Sequence, residues 1–352
     1  MAEMSQERNS SVLMDQGITV TVSSNGSLKS NFTKVRTVDI LIVSYLSPIV
    51  LILGTIGNAL SIAVFYRKKF RRNTASVYLI TLAVVDTFGL WVGLFPYWLP
   101  KISHISDIEL MNTWACSILI FLGFLSIQLS AWTLVLVTFE RLLAVFAPLK
   151  AKVIFNIKWA VVILVSVFAV LLGLNLHILW NFDLQLNIAN ETECGGTSEA
   201  YISMHAWMNA VIASYLPSFL MFSANIAIIA KMLRRRRSGL GSSNQIASMT
   251  IILLLCNFSF ICLTFPLAVY YAFYLQWYPQ SSEKRDIHEA LVILLAFSNQ
   301  AINFPLYCAS GQTFRDEMKK MFHKWKSAIC GRGNSVTDVL QMNTNTLNSN
   351  TN

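Results

Sequence analysis

Long apolar runs separated by short polar segments dominate the chain from residue 39 to residue 310. Each run is long enough to supply the about 20 apolar residues that a helix needs to cross a bilayer. No run alternates strictly between apolar and polar positions, as the strands of a membrane barrel do. Because backbone groups inside lipid must bond to one another, the runs are predicted to be helices. The seven runs cover roughly 39–66, 76–100, 113–146, 158–180, 205–233, 246–275 and 288–310.

Composition agrees with a membrane protein. Of the 352 residues, 55% are hydrophobic and 13% are charged, whereas a soluble domain carries about a quarter charged residues. The expected fold class is therefore an all-α membrane protein, with a bundle of seven transmembrane helices over residues 38–311. The first 37 residues are polar and lack the apolar core of a signal peptide, so this segment is expected to be translocated uncleaved.

The distribution of basic residues predicts the orientation of the bundle. Of the 27 Lys and Arg residues, 20 lie on one side, in three connections and the C-terminal segment. Such an excess marks the cytoplasmic side, so the N-terminal segment is predicted to be extracellular in a multi-pass plasma-membrane protein. The net charge of +9 then reports topology, and nucleic acid is not expected as a partner. Arg234–Arg237 fit a helix end beside anionic lipid headgroups, with a nuclear targeting signal or a docking motif as the alternatives.

Acceptor motifs for N-glycosylation fall on the predicted outside. Three lie within residues 1–37, and one lies between the fourth and fifth runs. A further motif begins at Asn257, but it lies within a run and is expected to stay unmodified. Such short motifs occur by chance, so their placement rather than their number supports the orientation. The predicted glycosylation sites are Asn9, Asn25, Asn31 and Asn190.

The six cysteines fall into three groups. Cys116 and Cys194 lie on the predicted outside, in an oxidising compartment, so a disulfide between them is predicted, with two free thiols as the alternative. Cys330 follows a basic segment and is a candidate for palmitoylation, the alternative being an ordinary cytosolic thiol. The other three lie inside runs and are interpreted as small core residues: Cys256, Cys262 and Cys308.

Ionisable residues inside the runs are few, and each is therefore of functional interest. Asp86 lies near the middle of the second run. Polar residues of other runs lie at a comparable depth, and together they could form a hydrated cluster that binds Na⁺. The alternative is a protonated Asp86 in a hydrogen-bond network. The other members of this cluster are Asn58, Ser130, Asn299 and Asn303.

The remaining motifs argue against enzymes and transporters. The sequence has no zinc-protease motif, nucleophile elbow, P-loop or Cys/His cluster with metal-ligand spacing, so neither an enzyme nor a cofactor other than Na⁺ is expected. A transporter or channel is a rival, but a transporter usually shows more intramembrane ionisable groups and broken helices in paired halves. One further charged pair, Glu140 and Arg141, lies near the cytoplasmic end of the third run.

The order of motifs resembles the class A, rhodopsin-like G-protein-coupled receptors over about residues 38–330. The resemblance implies a receptor that binds an extracellular ligand and activates a heterotrimeric G protein. It also implies that Arg141 is held by Glu140 at rest and released when helix 6 swings outward, as one arm of a two-state switch. A static pair at the membrane interface is the alternative. The matching residues are Asn58, Asp86, Cys116, Glu140–Leu142, Trp159, Pro217, Pro266 and Asn303–Tyr307.

Three positions depart from the family pattern. Thr264 stands where the family has a switch tryptophan, Asn225 stands where a tyrosine is common, and Pro305 is displaced by one place. An atypical or decoy receptor that binds ligand with weak G-protein coupling is therefore a rival. The departures look similar to invertebrate neuropeptide receptors of the FMRFamide and myosuppressin type. The residues expected to serve coupling and the switch are Glu140, Arg141, Asn225, Thr264, Pro266, Asn303 and Tyr307.

After the last run, apolar residues recur on one helical face, with basic residues opposite. This pattern predicts an amphipathic helix over 312–330 at the membrane lipids, and it resembles the eighth helix of the family. The tail 331–352 is rich in Asn, Ser and Thr and is predicted to be disordered. Its hydroxyls are candidate sites for receptor kinases and arrestin, the alternative being a simple solvated tail. The apolar face comprises Phe314, Met318, Met321, Phe322 and Trp325.

The ligand class is narrowed first by exclusion. The resemblance implies that an amine receptor would carry an aspartate where Gly123 stands, and an opsin a lysine where Phe297 stands. The outer segments are rich in acidic residues with aromatic residues nearby, which suits a basic peptide containing Arg and Phe. Alternatively, the acids only solubilise the loops and the aromatic residues form an interface belt. The candidate ligand contacts, chosen by depth, are Tyr97, Phe124, Gln128, His177, Asn209, Tyr271 and Glu289.

Overall fold

The described residues include nearly all of the seven predicted spans. The computed structural model describes residues 38–71, 73–102, 107–147, 156–186, 192–237, 244–274 and 283–327. The chain divides into two units, Met1–Val38 and Asp39–Asn352, and nearly all of the first lies outside the described residues. The predictions for segments 1–37 and 331–352 also lie outside them, as do these modification sites: Asn9, Asn25, Asn31, Asn190 and Cys330.

The described residues contain seven helices that are long and apolar enough to cross a membrane, which confirms the predicted bundle. Two of them, α2 and α5, contain a π turn, and α6 ends in one. The helices are α1 (Val38–Phe65), α2 (Thr74–Ile102), α3 (Thr113–Phe146), α4 (Ile157–Asn181), α5 (Glu199–Arg235), α6 (Asn244–Val269, continued through Tyr270–Tyr274) and α7 (Glu283–Ser310).

Polar caps fix where several helices begin. The first backbone N–H groups of a helix have no partner within the helix, and a preceding Asn or Ser side chain can accept from one of them. Ser198 accepts from the backbone N–H of Tyr201, so α5 begins several residues before the apolar run that predicted it. Three other helices, α2, α3 and α4, begin in the same way after Asn73, Asn112 and Asn156.

A short β-hairpin lies between α4 and α5. Strand β1 (Phe182–Leu186) pairs antiparallel with β2 (Thr192–Gly196), with Leu184 opposite Cys194. The predicted disulfide between Cys194 and Cys116 is confirmed, and it ties β2 to the first turn of α3. We call the end of the bundle with this hairpin the hairpin end, and the opposite end, with Glu140 and Arg141, the basic end.

The core is densely packed toward the basic end. The Tyr307 ring of α7 lies edge-on to Phe65 of α1, with ring centroids 5.2 Å apart. Nearer the hairpin end, a Cβ added to Gly54 would lie 2.9 Å from the Cβ and 3.3 Å from the Cα of Ala301, so a larger residue there would separate α1 from α7. Cys256 is buried, but Cys262 is exposed because α6 turns that face outward, so the prediction of a core residue is wrong for Cys262.

A helix follows α7 and agrees with the predicted amphipathic eighth helix. This helix, α8, covers residues 312–327 of the predicted 312–330, and residues 328–330 lie outside the described part. Gly311 separates it from α7, and a Cβ there would lie 2.8 Å from the carbonyl oxygen of Tyr307. Phe314 and Met321 are buried against the bundle. The exposed residues Phe322 and Trp325 pack edge-on, so α8 presents an aromatic surface.

Candidate functional site

A cavity of about 290 Å³ lies among α2, α3, α5, α6 and α7. Its walls are mostly apolar, with a few polar groups, which is the usual make-up of a small-ligand site. Within the described residues, its lining contains no Lys, Arg or His side chain. Five of the seven predicted ligand residues line it, and their contact with ligand stays a prediction: Tyr97, Phe124, Asn209, Tyr271 and Glu289.

Glu289 provides negative charge near the hairpin end of the cavity. One carboxylate oxygen accepts from the Tyr271 hydroxyl at 3.3 Å and the other from the Tyr270 hydroxyl at 3.4 Å. Among the described residues, no Lys, Arg or His forms an ion pair with Glu289. The carboxylate is therefore held by two long hydrogen bonds and forms no ion pair with a described cation.

Glu109 is a second acidic residue of the cavity, which sequence analysis missed. It lies in a single 3₁₀ turn, Ile108–Leu110, between α2 and α3. Burial raises the pKa of the Glu109 carboxyl, and the nearby negative charge of Asp107 raises it further. Its position seven residues before Cys116 was visible in the sequence, but nothing in the pattern indicated that a loop residue would reach the cavity.

Two of the predicted ligand residues lie outside the cavity wall. Gln128 is buried, and its side chain is bonded to Asn175 of α4 and donates to the Asn209 side chain at 3.2 Å. It therefore orients Asn209, which does line the cavity. The His177 ring lies 2.6 Å from the Tyr201 hydroxyl, in an aromatic cluster with His205. A role for Gln128 and His177 in ligand contact stays a prediction.

Below the cavity, Asp86 joins three helices. One carboxylate oxygen accepts from the Ser130 hydroxyl at 2.6 Å, and the other accepts from the Asn303 amide at 2.8 Å. The bonds to Asp86 come from Ser130 and Asn303, whereas Asn58 donates to the carbonyl oxygen of Gln300 and Asn299 lines the cavity. The carboxylate and hydroxyl oxygens are the kind of donors that hard cations take, and they fit the Na⁺ suggested by the sequence.

Glu140 and Arg141 form a loose ion pair at the basic end. Arg141 Nη2 lies 3.9 Å from Glu140 Oε1, which is too far for a hydrogen bond. Both side chains are less than a tenth exposed. Arg141 Nε and Nη2 have no hydrogen-bond acceptor among the described protein atoms. Buried N–H groups without acceptors are costly, so the guanidinium is weakly held in this arrangement.

A neutral network joins α3, α5 and α6 near that pair. The buried Asn257 amide of α6 donates to the Thr138 hydroxyl at 2.9 Å and to the Asn225 side-chain oxygen at 3.1 Å. Asn225 was among the predicted switch residues, whereas the sequence around Asn257 indicated only a glycosylation motif inside a span. Thr264 bonds to its own helix, through the carbonyl oxygen of Phe260, and lines the cavity.

Two helices with an internal proline carry the remaining predicted switch residues. Pro266 lies within α6 and Pro305 within α7, so each lacks one backbone donor inside its helix. Tyr307 is fully buried against aromatic rings of α1 and α8. Their parts in a switch stay predictions, because the structure shows one arrangement of the helices.

The family of the chain follows from comparison with known sequences. The profile described as 7 transmembrane receptor (rhodopsin family) matches residues 57–307, more than half of the chain. Together with the seven-helix bundle, this match shows that the chain belongs to the rhodopsin family of seven-transmembrane receptors. It is a multi-pass plasma-membrane protein and a G-protein-coupled receptor for an extracellular ligand.

Individual relatives are distant. The chain is similar to human cysteinyl leukotriene receptor 2, with 24% identity over 308 residues, covering 85% of this chain and 88% of the relative. Human C-C chemokine receptor type 1 is 21% identical over 291 residues, covering 79% of each chain. The thyrotropin-releasing hormone receptor of Gallus gallus is 30% identical over 179 residues, covering 48% of this chain and 43% of the relative.

Proposed function

We propose that the protein is a receptor for a basic peptide that enters the cavity at the hairpin end and activates a G protein at the basic end. The observation that carries this proposal is the Glu289 carboxylate, which lines an apolar cavity without a cationic partner in the described chain. A guanidinium or ammonium group of a ligand would supply that partner. Aromatic side chains of the wall, including Phe124 and Tyr271, would also favour a cation.

The names of the relatives leave the ligand class open. They refer to a leukotriene, a chemokine and a releasing hormone. The charge of the cavity therefore carries more weight, because an anionic ligand would meet Glu289 without a basic residue in the described lining to offset it. The finer assignment to the FMRFamide and myosuppressin type stays a prediction from the sequence.

The orientation is proposed from charge and covalent chemistry. Placing the N-terminus outside puts 20 of the 27 basic residues on the cytoplasmic side. It also puts the disulfide between Cys116 and Cys194 in an oxidising compartment. The basic end then faces the G protein, and α8 lies along the inner leaflet, where Phe322 and Trp325 would contact lipid. Arrestin and receptor kinases would act on the tail 331–352.

The proposed switch acts through Arg141. Its distance from Glu140 and its unsatisfied N–H groups mean that little is lost when the pair separates. Outward movement of α6 would break the Asn257 bonds to Thr138 and Asn225 and open space beside Arg141. Arg141 would then help to form the G-protein site, as the family resemblance implies.

A reporter assay with a promiscuous G protein and a library of amidated peptides tests this proposal. We expect a basic peptide to give a response that the Arg141→Ala variant loses. Phe258→Ala, on the exposed outer face of α6, is the control and should respond normally. Loss of response in both variants, at equal surface amounts, would contradict a specific role for Arg141.

A decoy receptor is the second candidate, favoured by Thr264 and the displaced Pro305. The Thr264 hydroxyl bonds within α6, so no bulky side chain lies between the cavity and Pro266 at that position. A decoy would bind labelled peptide without any response across G-protein classes. A transporter or channel would instead show flux without ligand.

A further inference from the structure

We propose that Glu109 is a second anionic anchor of the cavity and that the ligand is a dication bridging Glu109 and Glu289. This inference rests on the proposed function, because it assumes that the cavity receives the basic ligand. It adds a residue that the motifs did not indicate, and it narrows the ligand from basic to doubly cationic with an apolar centre.

The two carboxylates approach the cavity from different elements. Glu109 lies in the 3₁₀ turn that packs against α3 and β2. Glu289 lies in α7 and bonds to Tyr270 and Tyr271, at the hairpin end of α6. Both side chains line the same cavity. A ligand that reaches both acids must therefore extend from the α3 side to the α6–α7 side.

Among the described residues, the charged side chains that line the cavity are all acidic. Glu109 and Glu289 are acidic, and the lining within the described residues contains no basic side chain. Neither carboxylate forms an ion pair with a described Lys, Arg or His. Burial and Asp107 both disfavour the charged form of Glu109, which raises its pKa. A single cation would balance one acid only, whereas a dication would balance both.

The size and walls of the cavity set the form of the ligand. Drug-sized sites are about 300–1,000 Å³, so a cavity of about 290 Å³ holds only a small group such as the end of a peptide. Apolar and aromatic side chains, among them Ile120, Phe124 and Ile293, line the cavity together with the two acids. A peptide end with a cation on each side of an aromatic or aliphatic group fits this arrangement.

A binding experiment with three small probes tests the inference on the purified full-length receptor in lipid nanodiscs. Phe-Arg-NH₂ carries a free amine, a phenyl ring and a guanidinium. N-acetyl-Phe-Arg-NH₂ lacks the charged amine, and Phe-citrulline-NH₂ lacks the guanidinium. Affinities are measured by calorimetry at pH 7 for the unaltered receptor and for Glu109→Gln, Glu289→Gln and the control Glu193→Gln. Glu193 is an exposed carboxylate of β2 outside the cavity lining.

For the unaltered receptor and for Glu193→Gln, we expect the affinity of Phe-Arg-NH₂ to be at least about tenfold higher than that of N-acetyl-Phe-Arg-NH₂ or Phe-citrulline-NH₂. In each Glu→Gln variant, the ligand charge that the lost carboxylate binds should no longer matter. One of the two singly charged probes should therefore bind Glu109→Gln as tightly as Phe-Arg-NH₂ does, and the other should do so for Glu289→Gln. Glu109→Asp keeps the carboxylate and should restore most of the discrimination between the probes. That result would show that the loss in Glu109→Gln comes from the missing charge and not from misfolding.

Other results overturn the inference in distinguishable ways. If Glu109→Gln keeps full discrimination against both single cations, the second anchor is wrong while the proposed function stands through Glu289. If none of the probes binds the unaltered receptor, the dication is wrong as the minimal ligand. Equal binding of all three probes to every variant would contradict both the two-anchor inference and the proposed basic-ligand site.

Discussion

The side-chain amide of Asn257 in α6 donates a hydrogen bond of 2.9 Å to the hydroxyl of Thr138 in α3. The same amide donates to Asn225 in α5 at 3.1 Å, so one buried group holds three helices together. The bonds are neutral, and they lie where the proposed switch requires α6 to separate from α3. Each buried hydrogen bond contributes about 1 kcal/mol to the arrangement that contains it.

Removing this amide is expected to raise signalling without ligand. Asn257→Leu keeps a similar volume but loses both bonds, which should shift the equilibrium toward the separated state by about 2 kcal/mol, or about 30-fold. Basal reporter activity, normalised to surface amount, measures the shift. Phe258→Leu is the control, because Phe258 is 66% exposed on the outer face of α6. Unchanged basal activity in Asn257→Leu would contradict this role.

The Asp86 cluster predicts a sodium effect on stability. Asp86 and Ser130 supply oxygen donors, so Na⁺ should raise the thermal unfolding temperature relative to a bulky organic cation at equal ionic strength. At ten times its Kd, an ion that binds only the folded state stabilises it by about 1.4 kcal/mol. Asp86→Asn should abolish the difference. The same unfolding temperature in both salts for the unaltered receptor would favour the protonated carboxyl instead.

A pH effect is expected where α8 meets the connection between α1 and α2. Arg67 Nε donates to Glu317 at 2.8 Å and Lys320 donates at 2.9 Å, which together lower the pKa of Glu317 below its ordinary value of 4.5. Because the folded state favours the charged carboxylate, the stabilisation that Glu317 provides is fully present above pH 4.5. It is lost as the pH falls through the lowered pKa.

Glu317→Gln should therefore destabilise the receptor at pH 7, by about 1 kcal/mol, and this difference should shrink as the pH falls well below 4.5. Thermal unfolding in nanodiscs across that pH range measures it. Asp316→Asn, at an exposed neighbouring position, should show little difference at either pH. A difference for Glu317→Gln that does not depend on pH would mean that packing, rather than charge, is responsible.

The helices were predictable because they depend on local apolar pattern, and the disulfide followed from the orientation of the bundle. The length of the apolar runs alone identified all seven spans. Once the orientation was predicted, Cys116 and Cys194 were the two of the six cysteines placed in an oxidising compartment. Helix starts were less certain because caps such as Ser198 lie in polar sequence, beyond the apolar run. The β-hairpin was missed, since Phe182–Leu186 is short and adjoins the end of α4.

The candidate site was only partly predictable. Depth in the membrane follows from position along a helix, and two of the four partners predicted for Asp86, Ser130 and Asn303, bond to its carboxylate. The direction in which a side chain points depends on helix rotation, which packing decides. For this reason Gln128 lies against α4 rather than in the cavity wall, while Glu109, from a loop, reaches that wall.

The most direct test of the proposed function compares a cationic peptide agonist with its citrulline analogue on the unaltered receptor and on Glu289→Gln. Replacing Arg by citrulline should weaken potency about tenfold or more on the unaltered receptor and should have little effect on Glu289→Gln. If Glu289→Gln discriminates between the two peptides as strongly as the unaltered receptor does, Glu289 does not bind the cation and the account is contradicted.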